Sequence, residues 1–548
     1  MPSISRNEWR FVALVTAGIL LLTSLPYAYA ALSAPPDKHF MGFILNTSDH
    51  AQYLWWYRGF QDAWLISNRQ TPEPNPAVFF NLLWFVLARF GKITGLDYRW
   101  VYQIFRLLTA AFLMPILYWW SAQAFQESTR RKTAFLVLAL GAGLGWVQIV
   151  LKYTLWHGEL YYPLGVYLAE GNFFLNLMAY PHFAEAAGFI LLIFGLLLHG
   201  EESGSLRYAA WAALAAFLLG WQHTYDLILV WGISGLYALA RWAQMRRFPW
   251  YWFKALLLVG LISFPPALYS VLLTSLNPIW KEVLAQFDNA GVFTPNPLRM
   301  FIPLGIPLIL GLGGALTTLR GIAQPQGADT AQKSRLRTFL VVWFFGGWAL
   351  TYIPTDFQIH MINSWQVPVI LLGVDFWFTR LHPWLTGRWR ALASPALAGA
   401  LLLAAVLPTN GYIFLWRFLD LHRYNYPYFL HQAEYDAMQW LDEHAAPDAI
   451  ILSAYEPGRY IPGISGRSAF LSHWAQTVDF YAKRDLVADF FRPETADTRR
   501  RAVVAQFGVD YVLYGPAERA LGAYDPAQSP WLRRVFEAQG VSVWEVGK

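Results

Sequence analysis

FVALVTAGILLLTSLPYAYAA, residues 11–31, decides which solvent this chain is built for. No charged side chain interrupts it, and about 20 apolar residues is the length that crosses a bilayer core. Arg6 and Arg10 stand just before it. A cleaved leader has a shorter apolar region of roughly 7–15 residues. The run ends in AYA-AL, which resembles a small-residue cleavage site, yet its length predicts an uncleaved first membrane helix.

The composition agrees. Of 548 residues, 56% are hydrophobic and 14% charged, and the mean hydropathy is +0.31. A soluble protein of this size needs more charge to cover its surface. The 28 Trp and 29 Tyr suit headgroup-level belts, where rings with one polar tip settle. The chain has no Cys, which excludes disulfides, thiolate metal sites and cysteine nucleophiles. No basic run interleaved with aromatics points to nucleic acid.

Windows of spanning length fall near residues 11–32, 103–126, 133–152, 172–199, 207–221, 226–241, 254–275, 297–318, 338–354, 363–381 and 391–415, about eleven transmembrane helices. Lys and Arg mark one set of loops: Arg6 and Arg10; Arg130, Arg131 and Lys132; Arg241, Arg246, Arg247 and Lys254; Arg320, Lys333, Arg335 and Arg337; Arg380, Arg388 and Arg390. The alternate loops are nearly free of them, so the positive-inside rule predicts a cytoplasmic N-terminus. Residues 76–91, PAVFFNLLWFVLARFG, look apolar enough to span, but counting them inverts every later loop. They read instead as a re-entrant or interfacial helix in a long first outer loop, 33–102.

From residue 418 the composition becomes that of a water-soluble unit, placed outside the membrane by an odd number of crossings. EYDAMQWLDEHA reads as an amphipathic helix, and AIILSAY, VDYVLYG and VSVWEV read as short buried strands. The expected fold class is therefore a polytopic α-helical membrane protein (residues 1–417) with a small C-terminal α/β soluble domain (residues 418–548).

Ionisable groups at membrane depth are costly and mark function by default. Here they gather at the outer loops: Asp49 and His50; Glu73; Glu170 and His182; His223 and Asp226; Lys281, Asp288 and Arg299; Asp356 and His360. In SDHAQYLWWYRGFQDAW, residues 48–64, the spacing of Tyr53, Trp56 and Trp64 predicts a helix lying flat in the interface. Asp49 falls at its N-terminus, where backbone N–H groups favour a carboxylate. Asp49 on its own reads as a cap. Glu73, within the Pro-fixed loop PEPNP at residues 72–76, shifts the pair toward catalysis. His182 equally suits a bond to a backbone carbonyl beside Pro181, and Asp226 a helix cap. Asp356 and His360 read as a solvated turn. Glu456-Pro-Gly-Arg459 and Ser472-His473-Trp474 are candidates to line an acceptor groove, with turn and core positions the leading reading.

On these residues the sequence resembles the membrane-embedded glycosyltransferases of the GT-C class. The likeness is to the branch with protein O-mannosyltransferases and the aminoarabinose transferase that modifies lipid A. The resemblance lies in Asp49-His50 with Tyr53, then Glu73-Pro74-Asn75-Pro76, then Arg89-Phe90-Gly91 and Arg99. It departs from the branch where His50 replaces a frequent Glu and where Pro74-Asn75-Pro76 replaces a basic residue and Pro-Pro. The resemblance implies transfer of a sugar from a polyprenyl-phosphate donor to an acceptor hydroxyl at the outer face, with inversion. Asp49 is then the general base, and Glu73 positions the acceptor or shares that role. Arg58, Arg299 and Lys281 are the cations offered to the leaving phosphate, Arg299 first because it opens a span. His182, His223 and Asp226 complete the substrate and lipid-phosphate set. Some members of the class use a divalent metal; for one here, Asp49, His50, Glu73 and His223 are the ligands on offer, without a metal-spacing signature. The implied partners are membrane lipids, the lipid-linked sugar donor, and a glycan, lipid or protein acceptor. The alternative is a multi-pass transporter or lipid flippase, which predicts repeated halves and broken helices near the midplane; no repeated half is visible.

Overall fold

The computed structural model describes residues 3–287, 293–323, 331–389 and 393–547. Their contacts divide the chain into two compact units. A helical unit comprises Met1–Leu25, Phe105–Tyr269 and Val292–Trp416; a sheet-containing unit comprises Pro26–Ile104, Ser270–Gly291 and Arg417–Lys548.

Long apolar runs become long helices because, in lipid, only a helix satisfies every backbone group within one segment. Among the described residues six helices are long and apolar enough to cross a membrane: Arg6–Ser33, Tyr98–Ala124, Pro181–Ser203, Trp250–Leu276, Gly305–Ile322 and Gln358–Arg388. Two bent pairs raise the number to eight, Ser128–Leu140 with Gly145–Thr154 and Pro395–Val406 with Pro408–Leu421. The other expected windows are helical too, but Leu206–Gly220 is short, and Asp226–Met245 and Ala331–Leu350 carry charged ends. The structure therefore secures a helical membrane protein, while eleven crossings stay an expectation. The last window begins outside the described residues. Segment 76–91 yields the helix Leu82–Thr94 of 13 residues, about 20 Å long and too short to span. Leu83, Trp84, Leu87 and Ala88 are its buried face, while Val86, Phe90 and Ile93 are exposed.

Within the helical unit, Gly305–Ala323 packs closely on Gln366–Phe376. A Cβ on Gly314 would lie 2.1 Å from the Leu372 carbonyl oxygen, and one on Gly311 2.6 Å from that of Val369. Small residues permit this approach, and neither carbonyl can retreat without breaking its own helix. Gly314→Ala is expected to lower stability by about 3 kcal/mol. Gly321→Ala, on the same helix with open space around it, should leave it unchanged or gain a few tenths. Thermal unfolding midpoints of the two variants, side by side, check this.

The sheet-containing unit is built on a five-stranded sheet. Its strands are β3 (Ile450–Leu452), β4 (Ser468–Ala469), β5 (Tyr511–Tyr514), β6 (Leu532–Ala538) and β7 (Val541–Val546), in the order β4-β3-β5-β7-β6. β3 runs parallel to β4 and β5, while β7 is antiparallel to β5 and β6. The expected strands are β3, β5 and β7. The edge strands β4 and β6 escaped the pattern because edges need no continuous apolar run. Helix Gln432–His444 packs its apolar side, Ala433, Ala437, Met438 and Leu441, on this sheet.

The segment between the first two long helices belongs to the same unit. β1 (Lys38–Phe40) pairs antiparallel with β2 (Phe429–His431). Met41 and Phe43 join the core formed by Met438, Leu441, Ile451 and Val543. Further on, Asn68 Nδ2 donates to the Gln476 carbonyl at 2.8 Å, and the Ala469 N–H donates to the Arg69 carbonyl. Residues 278–287 add a third piece: Trp280 stacks on Phe79 at 4.6 Å, and Gln286 Nε2 donates to the carbonyls of Ala475 and Thr477.

Candidate active site

Asp49 lies in the first turn of the helix Thr47–Asp62, at the end where unpaired N–H groups favour negative charge. Its neighbours face differently, because successive helical residues are turned by about 100°. His50 is buried, stacks on Phe43 at 4.5 Å and bonds through Nδ1 to the Tyr98 hydroxyl at 2.7 Å. Tyr53 is buried against Trp84. Trp64 departs from the expected interfacial helix: the helix ends at Asp62, Ala63 is extended, and Trp64 stands exposed beyond it.

The Asp49 side chain is 32% exposed, and Oδ1 lies 3.2 Å from His473 Nε2. The Ala475 N–H donates to His473 Nδ1 at 3.0 Å. Nδ1 is therefore the nitrogen without hydrogen, and Nε2 carries the proton directed at Asp49. Gln476 Nε2 donates to Gln52 Oε1 at 2.6 Å, one turn along the same helix. Arg459 is buried, ion-paired with Glu456 and 3.4 Å from the Thr47 hydroxyl. The sequence offers His473 and Arg459 as core and turn positions first and as acceptor-groove residues second. Both follow the carboxyl ends of the parallel strands β4 and β3, where open α/β sheets present their functional loops. That signal was available once the strands were placed.

Glu73 is bound by Lys483, whose Nζ lies 2.5 Å from Oε1, and by the Thr71 hydroxyl. Lys483 is buried, with its side chain 2% exposed. Arg58 is likewise engaged, donating to Asp442 Oδ1 at 2.6 Å and to the Ile464 carbonyl at 2.7 Å. Lys281 is exposed on the helix Pro278–Ala285. Asp288 lies outside the described residues.

The helical unit has its own polar cluster, where several helix ends meet. The His182 and His223 rings are 5.6 Å apart. His223 Nδ1 approaches Asp226 Oδ2 at 3.3 Å, and Asn363 Nδ2 donates to that same oxygen at 3.1 Å. His360 bonds to Glu170 and stacks on Tyr225 at 4.8 Å. His182, His223 and Asp226 thus come together, and they bring Glu170 and His360 with them. His360 had read as a solvated turn residue. It is drawn in because the 3₁₀ turn Gln358–Ile362 folds back on helix ends remote in sequence. Arg299 is exposed in the 3₁₀ turn Arg299–Phe301 and does not itself open a span, which starts later, at Gly305.

Among the described residues no group of three or more His, Asp or Glu side chains gathers as a metal site. The four residues on offer do not form one: His50 is turned into an aromatic core, and Glu73 is held by an ammonium.

Burial lowers the His50 pKa to about 3 and, with Arg99 adding, that of His39 to about 4. A depressed imidazole makes the folded chain bind fewer protons than the unfolded one. Its contribution is complete above the unfolded pKa near 6.5 and is lost as pH falls toward the folded value. Glu518 runs the opposite way: burial raises it to about 7, so its contribution is full below about 4.5 and lost as pH rises through 7. His50→Phe should therefore flatten the acid limb of the stability curve between pH 6.5 and 4 relative to wild type. Unfolding midpoints across that range give the difference.

No protein-family model matches the chain, and no curated protein is significantly similar to it. Its fold is shared with solved glycosyltransferases. It superposes on the archaeal oligosaccharyltransferase AglB from Archaeoglobus fulgidus, solved with an inhibitory peptide and a dolichol-phosphate. The TM-score is 0.54 at 12% identity, over 99% of this chain and 75% of that one. It also superposes on the arabinofuranosyltransferase AftD from Mycobacteria, with TM-score 0.53 at 15% identity, over all of this chain and 40% of that longer one. ArnT from Cupriavidus metallidurans, solved with undecaprenyl phosphate, gives a TM-score of 0.49 at 12% identity.

Proposed function

We propose that the chain is an integral membrane glycosyltransferase. In this reading it moves a sugar from a polyprenyl-phosphate donor to an acceptor hydroxyl at the outer membrane face. One observation carries it: Asp49 is a partly exposed carboxylate at a helix N-terminus, oriented by an imidazole N–H on one oxygen. The second oxygen is the base. It takes the acceptor's proton as the acceptor oxygen bonds to the anomeric carbon. The bond from that carbon to the phosphate oxygen breaks, the electron pair leaves with polyprenyl phosphate, and configuration inverts.

Glu73, engaged by Lys483, takes the positioning role. Lys281 and Arg299, both exposed, are offered to the leaving phosphate. Arg58 is offered second, since Asp442 already holds it. His182, His223 and Asp226 supply substrate contacts within the helical unit. In this reading the N-terminus is cytoplasmic and the C-terminal domain, residues 418–548, is extracytoplasmic, with the loop charges in support.

The test is native mass spectrometry of the protein in nanodiscs with polyprenyl-phosphate hexoses. The expected result is a bound donor that loses its hexose when an acceptor extract is added. Absence of binding across a broad panel of polyprenyl phosphates overturns the proposal.

A further inference from the structure

We infer that His473 is the positioning residue of the Asp49 carboxylate, a role that rests on Asp49 being the base. The ring is held without help from Asp49. His473 is 2% exposed, and its Nδ1 is occupied by the Ala475 N–H within its own loop. The N–H groups of Gln476 and Thr477 return to the His473 carbonyl. The Thr477 hydroxyl accepts from the Ser472 N–H at 2.9 Å and donates to the Gln70 carbonyl at 2.6 Å. The loop thus keeps its shape through its own bonds and those to Gln70, and Nε2–H remains as the one ring hydrogen to place. It is directed at Asp49 Oδ1, 3.2 Å away.

Two consequences follow for the chemistry. The hydrogen bond engages Oδ1 and so fixes which way the carboxylate faces the acceptor hydroxyl. It also keeps the carboxylate from rotating, and misplacement of a catalytic group by about 1 Å costs roughly 100-fold in rate. No proton passes to His473, whose Nε2 already carries one; the proton Asp49 takes up leaves later to water.

Two substitutions separate the ring's two nitrogens. In His473→Asn the side-chain oxygen can accept the Ala475 N–H, as Asn does two residues on in an Asx-turn, but it is too short to reach Asp49. In His473→Gln the amide N–H reaches the position of Nε2. In the hexose-transfer assay, H473N is expected to keep the wild-type unfolding midpoint and donor KM while kcat falls roughly 10- to 100-fold. H473Q should recover kcat to within about tenfold of wild type. Wild-type kcat in folded H473N overturns the inference. So does a kcat loss in H473Q as large as in H473N; should H473N not fold, a loss in H473Q as large as that of Asp49→Asn decides against it in the same way. Asp49→Asn in the same assay keeps the two levels apart. An inactive D49N beside a fully active H473N removes the positioning role and leaves the base in place, whereas an active D49N removes the base itself.

Discussion

Asp49→Asn is expected to lower hexose transfer by about 10²–10⁴-fold, the usual contribution of a positioned general base. The change removes one property only. Asn keeps the size of the side chain, remains a good residue at a helix N-terminus, and offers Oδ1 to the same His473 N–H. What it lacks is a second oxygen able to take a proton. The cost to folding includes the carboxylate's interaction with the helix end, about 0.3–1 kcal/mol. Donor binding, read by native mass spectrometry, should survive, while conversion of polyprenyl-phosphate hexose to polyprenyl phosphate should stop. An Asp49→Asn protein that turns over at the wild-type rate would remove Asp49 from the mechanism and leave it as a helix-end residue.

The second large effect is on stability. Lys483 is buried with its ammonium on Glu73 Oε1 at 2.5 Å and on the Val478 carbonyl. Glu73→Ala leaves that ammonium without its anion, and breaking a buried pair from one side is far costlier than removing both partners. A loss of about 3 kcal/mol is expected, which for a unit of this size moves the unfolding midpoint by roughly 6–12 °C. Glu73→Ala with Lys483→Met should recover much of it, and a double-mutant cycle isolates the coupling. Thermal unfolding followed by tryptophan fluorescence reads both. A Glu73→Ala midpoint equal to wild type would mean the pair contributes nothing, and a loss of turnover without loss of stability would return Glu73 to a direct role in catalysis.

Both residues were visible in the sequence as acids between the first two long apolar runs, but their partners were not. Asp49 is oriented by a histidine and Glu73 is held by a lysine, both supplied by the loop and helix that follow β4. Neither pairing leaves a mark in local spacing. The same holds for His360, which is a polar residue between apolar runs until the chain closes it on Glu170 and Tyr225. In the apolar segment 76–91 the helix begins only at Leu82 and runs for 13 residues, to Thr94.

The amino-acid sequence by itself determined the long apolar helices and the inner strands β3, β5 and β7 of the sheet. All of these follow from apolar run length and from periods of 2 and 3.6, which are properties of neighbouring residues. Tertiary structure alone decided that residues 26–104 share a unit with residues 417–548, through β1 on β2 and through Met41 and Phe43 in the sheet's core. It also decided which nitrogen of His473 faces Asp49. These contacts join residues hundreds of positions apart, and their energy is gained only after the chain has closed on itself, so no local pattern encodes them.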